Sequence, residues 1–234
     1  MKIEQVFKKY LSEKYFQVDM TRKDAGPVIT ISRDTGCYAG RISRKLIEKI
    51  NQNNERIGKK EKWNYINKEI LEKVADELQI SLETITRVFE SKKSHLIEDM
   101  ANSLFTRHFV SDSMIISTIK YIIKSFAYEG NVVIIGRAAS IITHEINNSL
   151  HIKLYAPKPY REKRLMEINQ VSQNKAKEII KNTDSERETF IRFFLDKKPE
   201  LEYYDSTINS SRFEEDQIVD MIYYLAVEKC LIKA

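Results

Sequence analysis

Glycine is scarce in this chain, with six in 234 residues where average usage of about 7% would give roughly 16. Each one present therefore carries positional information. Cysteine is limited to Cys37 and Cys230, which suits a reduced, cytoplasmic protein rather than a disulfide scaffold. Lys2, Glu4, Lys8 and Lys9 make the first residues too charged for the apolar part of a signal peptide. The apolar runs are short and interrupted by charge, and none approaches the roughly 20 residues that span a bilayer. An excess of one charge is missing too. Thirty-nine Lys and Arg stand against 34 Asp and Glu, a net +5, which argues against a dedicated DNA binder and leaves room for anionic phosphorylated metabolites. His95, His108, His144 and His151 lack any zinc-ligand spacing.

Five of the six glycines bracket two apolar runs. Gly26, Gly36 and Gly40 surround Val28-Ile29-Thr30-Ile31, and Gly130 and Gly136 surround Val132-Val133-Ile134-Ile135. Both runs are continuous and β-branched, the pattern of buried parallel strands. A third run, His151 to Tyr155, stops at Ala156-Pro157, because proline cannot extend a central strand. Shorter strands are expected at Trp63–Ile66 and Ser206–Asn209. Ile42, Leu46, Ile47 and Ile50 share one helical stripe, as do Ile218, Met221, Ile222 and Leu225. Ser211-x-x-Glu214 and Thr183-x-x-Glu186 have the spacing of capping boxes, each expected to open a helix. Asn51 to Lys62 is polar and lysine-rich, the composition of a solvated connection.

Strands alternating with helices imply an α/β domain built on a parallel sheet, in which ligands sit beyond the strands' C-terminal ends. The whole chain, 1–234, reads as one such domain. Between the second and third strands, residues 68–129 carry helices and no strand, which suggests a helical lobe.

The segment from Ile29 to Ser43 runs from a buried strand through Gly36 and Gly40 into an amphipathic helix. Unpaired N–H groups and the positive end of the helix dipole suit such a turn to phosphate, and Arg41 would add a cation. The G-x-x-x-x-G-K-[ST] pattern is not met: three residues separate the glycines, Arg41 stands where lysine belongs, and Ile42 replaces the magnesium-binding hydroxyl. Ser43 is then the nearest substitute metal ligand. Arg137 follows Gly136 at the end of a second strand, and a guanidinium fork there suits a phosphate. Arg161 and Arg164 share a helical face, with Arg187 and Arg192 on a later helix. Cys37 reads as a small loop filler rather than a nucleophile. Trp63 and Tyr65 are expected to pack the second strand or its edge, and Tyr203 and Tyr204 to lie in the core or at its rim.

Taken in order, these pieces resemble the cytidylate kinase-like family of P-loop nucleoside monophosphate kinases. The resemblance rests on Ile29-Thr30-Ile31-Ser32-Arg33-Asp34-Thr35-Gly36-Cys37, Trp63-x-x-Ile66-Asn67-Lys68-Glu69-Ile70-Leu71 and Val133-Ile134-Ile135-Gly136-Arg137. It continues through His151-Ile152-Lys153-Leu154-x-Ala156-Pro157, Arg161-x-x-Arg164, Asp184-x-x-Arg187 and Tyr204-Asp205-x-x-x-Asn209-Ser210-Ser211. It implies a five-stranded parallel sheet flanked by helices, with an arginine-bearing lid over residues 158–195. It also implies ATP with Mg2+ and small nucleotide substrates, with no nucleic-acid or membrane partner. The triphosphate would lie against Arg33, Gly36, Cys37, Tyr38, Ala39, Gly40, Arg41, Ile42 and Ser43, with Arg41, Arg161, Arg164 and Arg187 serving transfer. Gly136, Arg137, Asp184 and Arg192 would meet the acceptor. Ala138 stands where cytidylate kinases carry an acidic residue that recognises the base. The implied activity is phosphoryl transfer to a nucleoside monophosphate or a similar phosphorylated acceptor. The atypical loop leaves a nucleotide-binding protein without turnover as the alternative.

Overall fold

A computed structural model of the chain describes residues 25–67, 69–85, 112–196 and 198–233. Lys2, Glu4, Lys8, Lys9, Lys68, His95 and His108 lie outside the described residues, as does part of the expected 68–129 lobe.

Strand β1 (Val28–Arg33) leads into helix α1 (Ala39–Arg56), and β2 (Asn64–Ile66) is followed by α2 (Glu69–Leu78) and α3 (Asp112–Glu129). Next come β3 (Val132–Ile135), α4 (Ala139–Ile142), β4 (Ser149–Tyr155), α5 (Lys158–Asn169) and α6 (Gln173–Arg192). A 3-10 turn (Glu200–Tyr203), β5 (Ser206–Asn209) and α7 (Glu215–Glu228) complete the order. The five strands form one parallel sheet in the order β2-β3-β1-β4-β5. β1 is central, with Ile31 beside Ile135 on one side and Ile152 on the other.

The strands are apolar on both faces because helices cover both. On one face Val28, Val132 and Ile134 pack with Ile70 and Val74 of α2 and Ile115, Ile119 and Ile123 of α3. On the other, Ile29, Ile31, Val133 and Ile152 meet the α1 stripe of Ile42, Leu46 and Ile50, together with Ile218 and Ile222 of α7. Trp63 is buried in this second layer, whereas Tyr65 is exposed on the edge strand. Tyr203 is buried and Tyr204 half-buried.

Three local expectations are corrected. Helix α1 continues to Arg56, so only the second half of Asn51–Lys62 is a connection. Its asparagines clamp the returning chain: Asn51 Nδ2 donates to the Trp63 carbonyl (3.0 Å), and the Trp63 N–H returns a bond to Asn51 Oδ1 (2.8 Å). Thr183 opens no helix, because α6 starts ten residues earlier under a Ser172 cap and runs straight through it. Helix α7 is capped by Glu214 with Gln217, while the Ser211 hydroxyl donates to Asn209 Oδ1 instead.

His151 sits in the middle of the sheet, its ring between the Thr30 hydroxyl (2.8 Å) and the Ser149 hydroxyl (3.0 Å). Burial pushes its pKa down to about 4, against the attraction of Asp205. The neutral ring is thus the folded form, and the unfolded chain binds the extra proton first. Stability is therefore expected to fall as pH drops from about 6.5 toward 4, by about 2 kcal/mol for this group at pH 5. Urea unfolding at pH 7 and pH 5 measures it, and His151→Asn should remove most of that difference.

Candidate functional site

The β1–α1 turn occupies residues 34–38 at the C-terminal edge of the sheet. Gly36 has φ +95° and Tyr38 φ +45°, so the backbone alternates through left-handed residues. This alternation turns successive N–H groups toward a common side, the geometry of an anion nest. Cys37 N–H bonds back to the Asp34 carbonyl (3.2 Å). Among the described residues, the N–H groups of Gly36, Tyr38, Ala39 and Gly40 have no acceptor. They stand at the positive end of an 18-residue helix with no acidic residue in its first turn.

This geometry changes the register expected from sequence. In a P-loop the pattern G-x-x-x-x-G joins strand to helix, and K-[ST] opens the helix. With β1 ending at Arg33 and α1 beginning at Ala39, Arg33 and Tyr38 hold the two glycine positions. Ala39 then holds the lysine position and Gly40 the hydroxyl position. Tyr38 satisfies the backbone requirement of its glycine position through its left-handed φ. Gly40 is helical, with open space around it, so the turn depends on Gly36 rather than on a glycine pair.

Arg41, expected at the phosphates, has a partner within the protein. Its guanidinium meets Glu215 Oε2 of α7 at 3.2 Å, with the side chain about half exposed (48%). The same carboxylate accepts from Arg164 at 2.8 Å. Helical neighbours at i+3 or i+4 could not reveal this partner, which comes from across the fold. Burial disfavours charge on Arg164, but the Glu215 bond outweighs it and raises its pKa. Arg164 also lies over the Tyr38 ring (5.3 Å). The small cavity beside Gly36, Arg164 and Glu215 holds only about 20 Å³.

The larger cavity, about 1090 Å³, opens between the ends of β1 and β3 and helix α6. Seven Lys and Arg side chains line it against five Asp and Glu. Several are already paired. Asp184 Oδ1 accepts the Thr35 N–H (2.9 Å) and its Oδ2 accepts from Arg161 (2.6 Å). Arg161 also donates to the Thr35 carbonyl (3.2 Å) and the Ala156 carbonyl (2.9 Å). Burial pushes the Asp184 carboxyl up, but the bonds from Thr35 and Arg161 outweigh it and hold it below the ordinary range. Lys153 lies 3.5 Å from both Asp34 and Glu200. Arg192 is turned to Glu188 (2.5 Å) on its own helix and is largely exposed.

Lys181 is exposed to solvent, and Arg33, Arg137 and Arg187 remain. Arg187 donates to Thr35 Oγ1 (2.6 Å) and has its nearest carboxylate, Asp184, at 3.6 Å. Arg137 adopts φ +57° and lies over the Phe190 ring (5.8 Å). Arg33 lies against Gly136, where any Cβ would overlap its Nη1. Among the described residues no carboxylate comes within 4 Å of Arg33 or Arg137. Burial, then Arg187 and then Arg137, push the Arg33 pKa down to about 9. Burial and Arg187 lower Arg137, and burial lowers Arg187. A guanidinium keeps its proton at neutral pH, so the crowding persists as repulsion that an anion would relieve.

Cys37 is buried, and burial followed by Asp34 raises its pKa to about 11, the state of an inert thiol. Ala138, fully inside, is the left-handed residue that opens α4. Thr35, Lys153 and Glu215 were missed from sequence. Thr35 and Lys153 lie in stretches that carried the family resemblance, and Glu215 had no local signal.

The loop does not fit a magnesium ion. Magnesium takes oxygen ligands in near-octahedral order, and Ala39 and Gly40 offer none. Ser43 is fully buried, its hydroxyl without a partner, which removes it as a substitute. Among the described residues no group of three His, Cys, Asp or Glu could hold a metal.

The parallel sheet with β1 between β3 and β4, and a phosphate-type turn at its edge, defines a P-loop kinase-type fold. The family model of the cytidylate kinase-like family matches residues 28–212, and the chain belongs to that family. A crystal structure of an uncharacterized protein from Eubacterium ventriosum superposes with a TM-score of 0.60 at 22% identity, covering 86% of this chain and 98% of that one. Shikimate kinase from Bacteroides thetaiotaomicron gives 0.44 at 10%, with 85% and 96% covered. Shikimate kinase from Acinetobacter baumannii, in complex with shikimate, gives 0.41 at 13%, with 89% and 97% covered. No curated protein matches the chain. Among the described residues no helix is long and apolar enough to cross a membrane.

Proposed function

We propose that this protein is a cytoplasmic phosphotransferase that moves the terminal phosphoryl group of a nucleoside triphosphate to a nucleoside monophosphate or a similar small phosphorylated acceptor. The observation that carries the reading is the convergence of Arg33, Arg137 and Arg187 in one crevice with no carboxylate against the first two. Such transfer needs little covalent help from protein, and positioning and charge neutralisation do most of it. The triphosphate lies along the free N–H groups of Gly36, Tyr38, Ala39 and Gly40. Arg161 and Arg187, on the lid-like segment 158–195, close over its terminal phosphate. Arg137 and Gly136, fixed by β3, receive the acceptor's phosphate, with Asp184 beside it. Arg41, Arg164 and Arg192 hold the surrounding structure through Glu215 and Glu188.

Binding without turnover is the second reading, favoured by Ala39 at the lysine position. A coupled assay with ATP and a nucleotide panel separates the two, since only a phosphotransferase releases the diphosphate product. Within an active enzyme, Arg137→Ala is expected to raise the acceptor KM by about tenfold or more while ATP binding stays near wild type. Steady-state kinetics with each substrate varied in turn checks this. Equal effects on both substrates, or none, would remove Arg137 from the acceptor site.

A further inference from the structure

The loop's register and its arginines carry a consequence for the form of the ligand, and it rests on the proposed reading that this loop holds a polyphosphate. We propose that the loop takes its polyphosphate as a metal-free polyanion, with the guanidiniums of Arg33 and Arg187 supplying the positive charge that a magnesium ion supplies in an ordinary P-loop.

Three observations lead there. The first is the donor set: Ala39 and Gly40 stand at the start of α1, where a lysine and a metal-binding hydroxyl would be, and Ser43 is sealed in the core. The second is the state of the nearby acids. Both Asp184 oxygens are engaged, by the Thr35 N–H and by Arg161, and Asp34 faces Lys153 at 3.5 Å. Asp184 is therefore not a spare carboxylate for a metal, and the charge of Asp34 is already offset by Lys153.

The third is the density of cations. Arg161 and Arg187 both hydrogen-bond Thr35, at its carbonyl (3.2 Å) and its hydroxyl (2.6 Å). Arg33 begins the loop, held in the space that Gly136 leaves for it. Guanidinium groups have no lone pair to offer a metal and repel a divalent cation, yet they pair bidentately with phosphate oxygens. A ligand that arrives with magnesium adds positive charge to a place already crowded with it. A ligand without magnesium relieves the crowding.

Isothermal titration of the full chain with tripolyphosphate, and separately with ATP, in EDTA and in excess magnesium, decides the matter. We expect binding in EDTA to be about three- to tenfold tighter than in magnesium, the scale of one charged contact. Arg33→Met and Arg187→Met should each erase this preference, and Arg33→Lys, which keeps the charge, should retain most of it. Tightening of about tenfold or more by magnesium would overturn the proposal and leave the nucleotide reading standing. So would an unchanged EDTA-to-magnesium ratio in both methionine variants. Absence of binding to either ligand under both conditions would sink the nucleotide reading and this proposal together.

Discussion

Arg187→Ala is expected to lower turnover by about 10²- to 10³-fold, the usual cost of removing one preorganised donor from developing charge. The side chain donates to Thr35 Oγ1, stays 3.6 Å from Asp184 and faces Arg33 and Arg137 across the crevice. It thus spans the two halves of the site, with the loop and Arg33 on one side and Arg137 of the acceptor site on the other. A group in that place interacts most strongly with the phosphoryl group in flight. Turnover should therefore fall more than the KM of either substrate rises, the signature of an interaction made chiefly in the transition state. Removing Arg187 also relieves repulsion on Arg33 and Arg137, so the folded protein is expected to lose little stability. Initial rates with ATP and acceptor varied separately, together with thermal unfolding, test both halves. A variant whose KM rises tenfold while turnover holds would make Arg187 a ground-state contact only.

Gly136→Ala is expected to weaken anion binding by about tenfold while destabilising the fold by only about 1 kcal/mol, the cost of a non-glycine residue at positive φ. Gly136 has φ +70°, and the first atom its new Cβ would meet is Arg33 Nη1. Because that atom ends a flexible side chain, Arg33 can swing away, and the loss falls on the position of its charge rather than on packing. Combining the change with Arg33→Met is the decisive measurement. If Gly136 acts through Arg33, the second substitution adds almost nothing to the first, a strong coupling between neighbours. Additive losses would show that the Gly136 backbone matters for another reason.

The fold was legible to a large extent because its signals are periodic and local. Val28–Ile31, Val132–Ile135 and His151–Tyr155 are β-branched or apolar runs in a chain poor in glycine, and each became a central strand. Ile42, Leu46 and Ile50 returned as the buried stripe of α1. Capping boxes were less reliable, since Thr183-x-x-Glu186 recurs by chance inside a helix already capped at Ser172. A local hydrogen-bonding pattern cannot show that the helix has begun upstream.

By itself the sequence determined the strands, the helix stripes and the presence of a phosphate-type turn after β1, because hydrophobic periodicity and glycine placement act within a few residues. The tertiary structure decided what each cation near that turn is for. Arg41 is drawn to Glu215, 174 positions away in the sequence numbering and brought beside it by α7 packing on α1. Arg33 is held over Gly136 because β1 and β3 are neighbours in the sheet. Arg161 and Asp184 meet at Thr35 because α5 and α6 fold back over the loop. Charges act through space, so their partners are fixed by strand order and helix packing rather than by spacing along the chain.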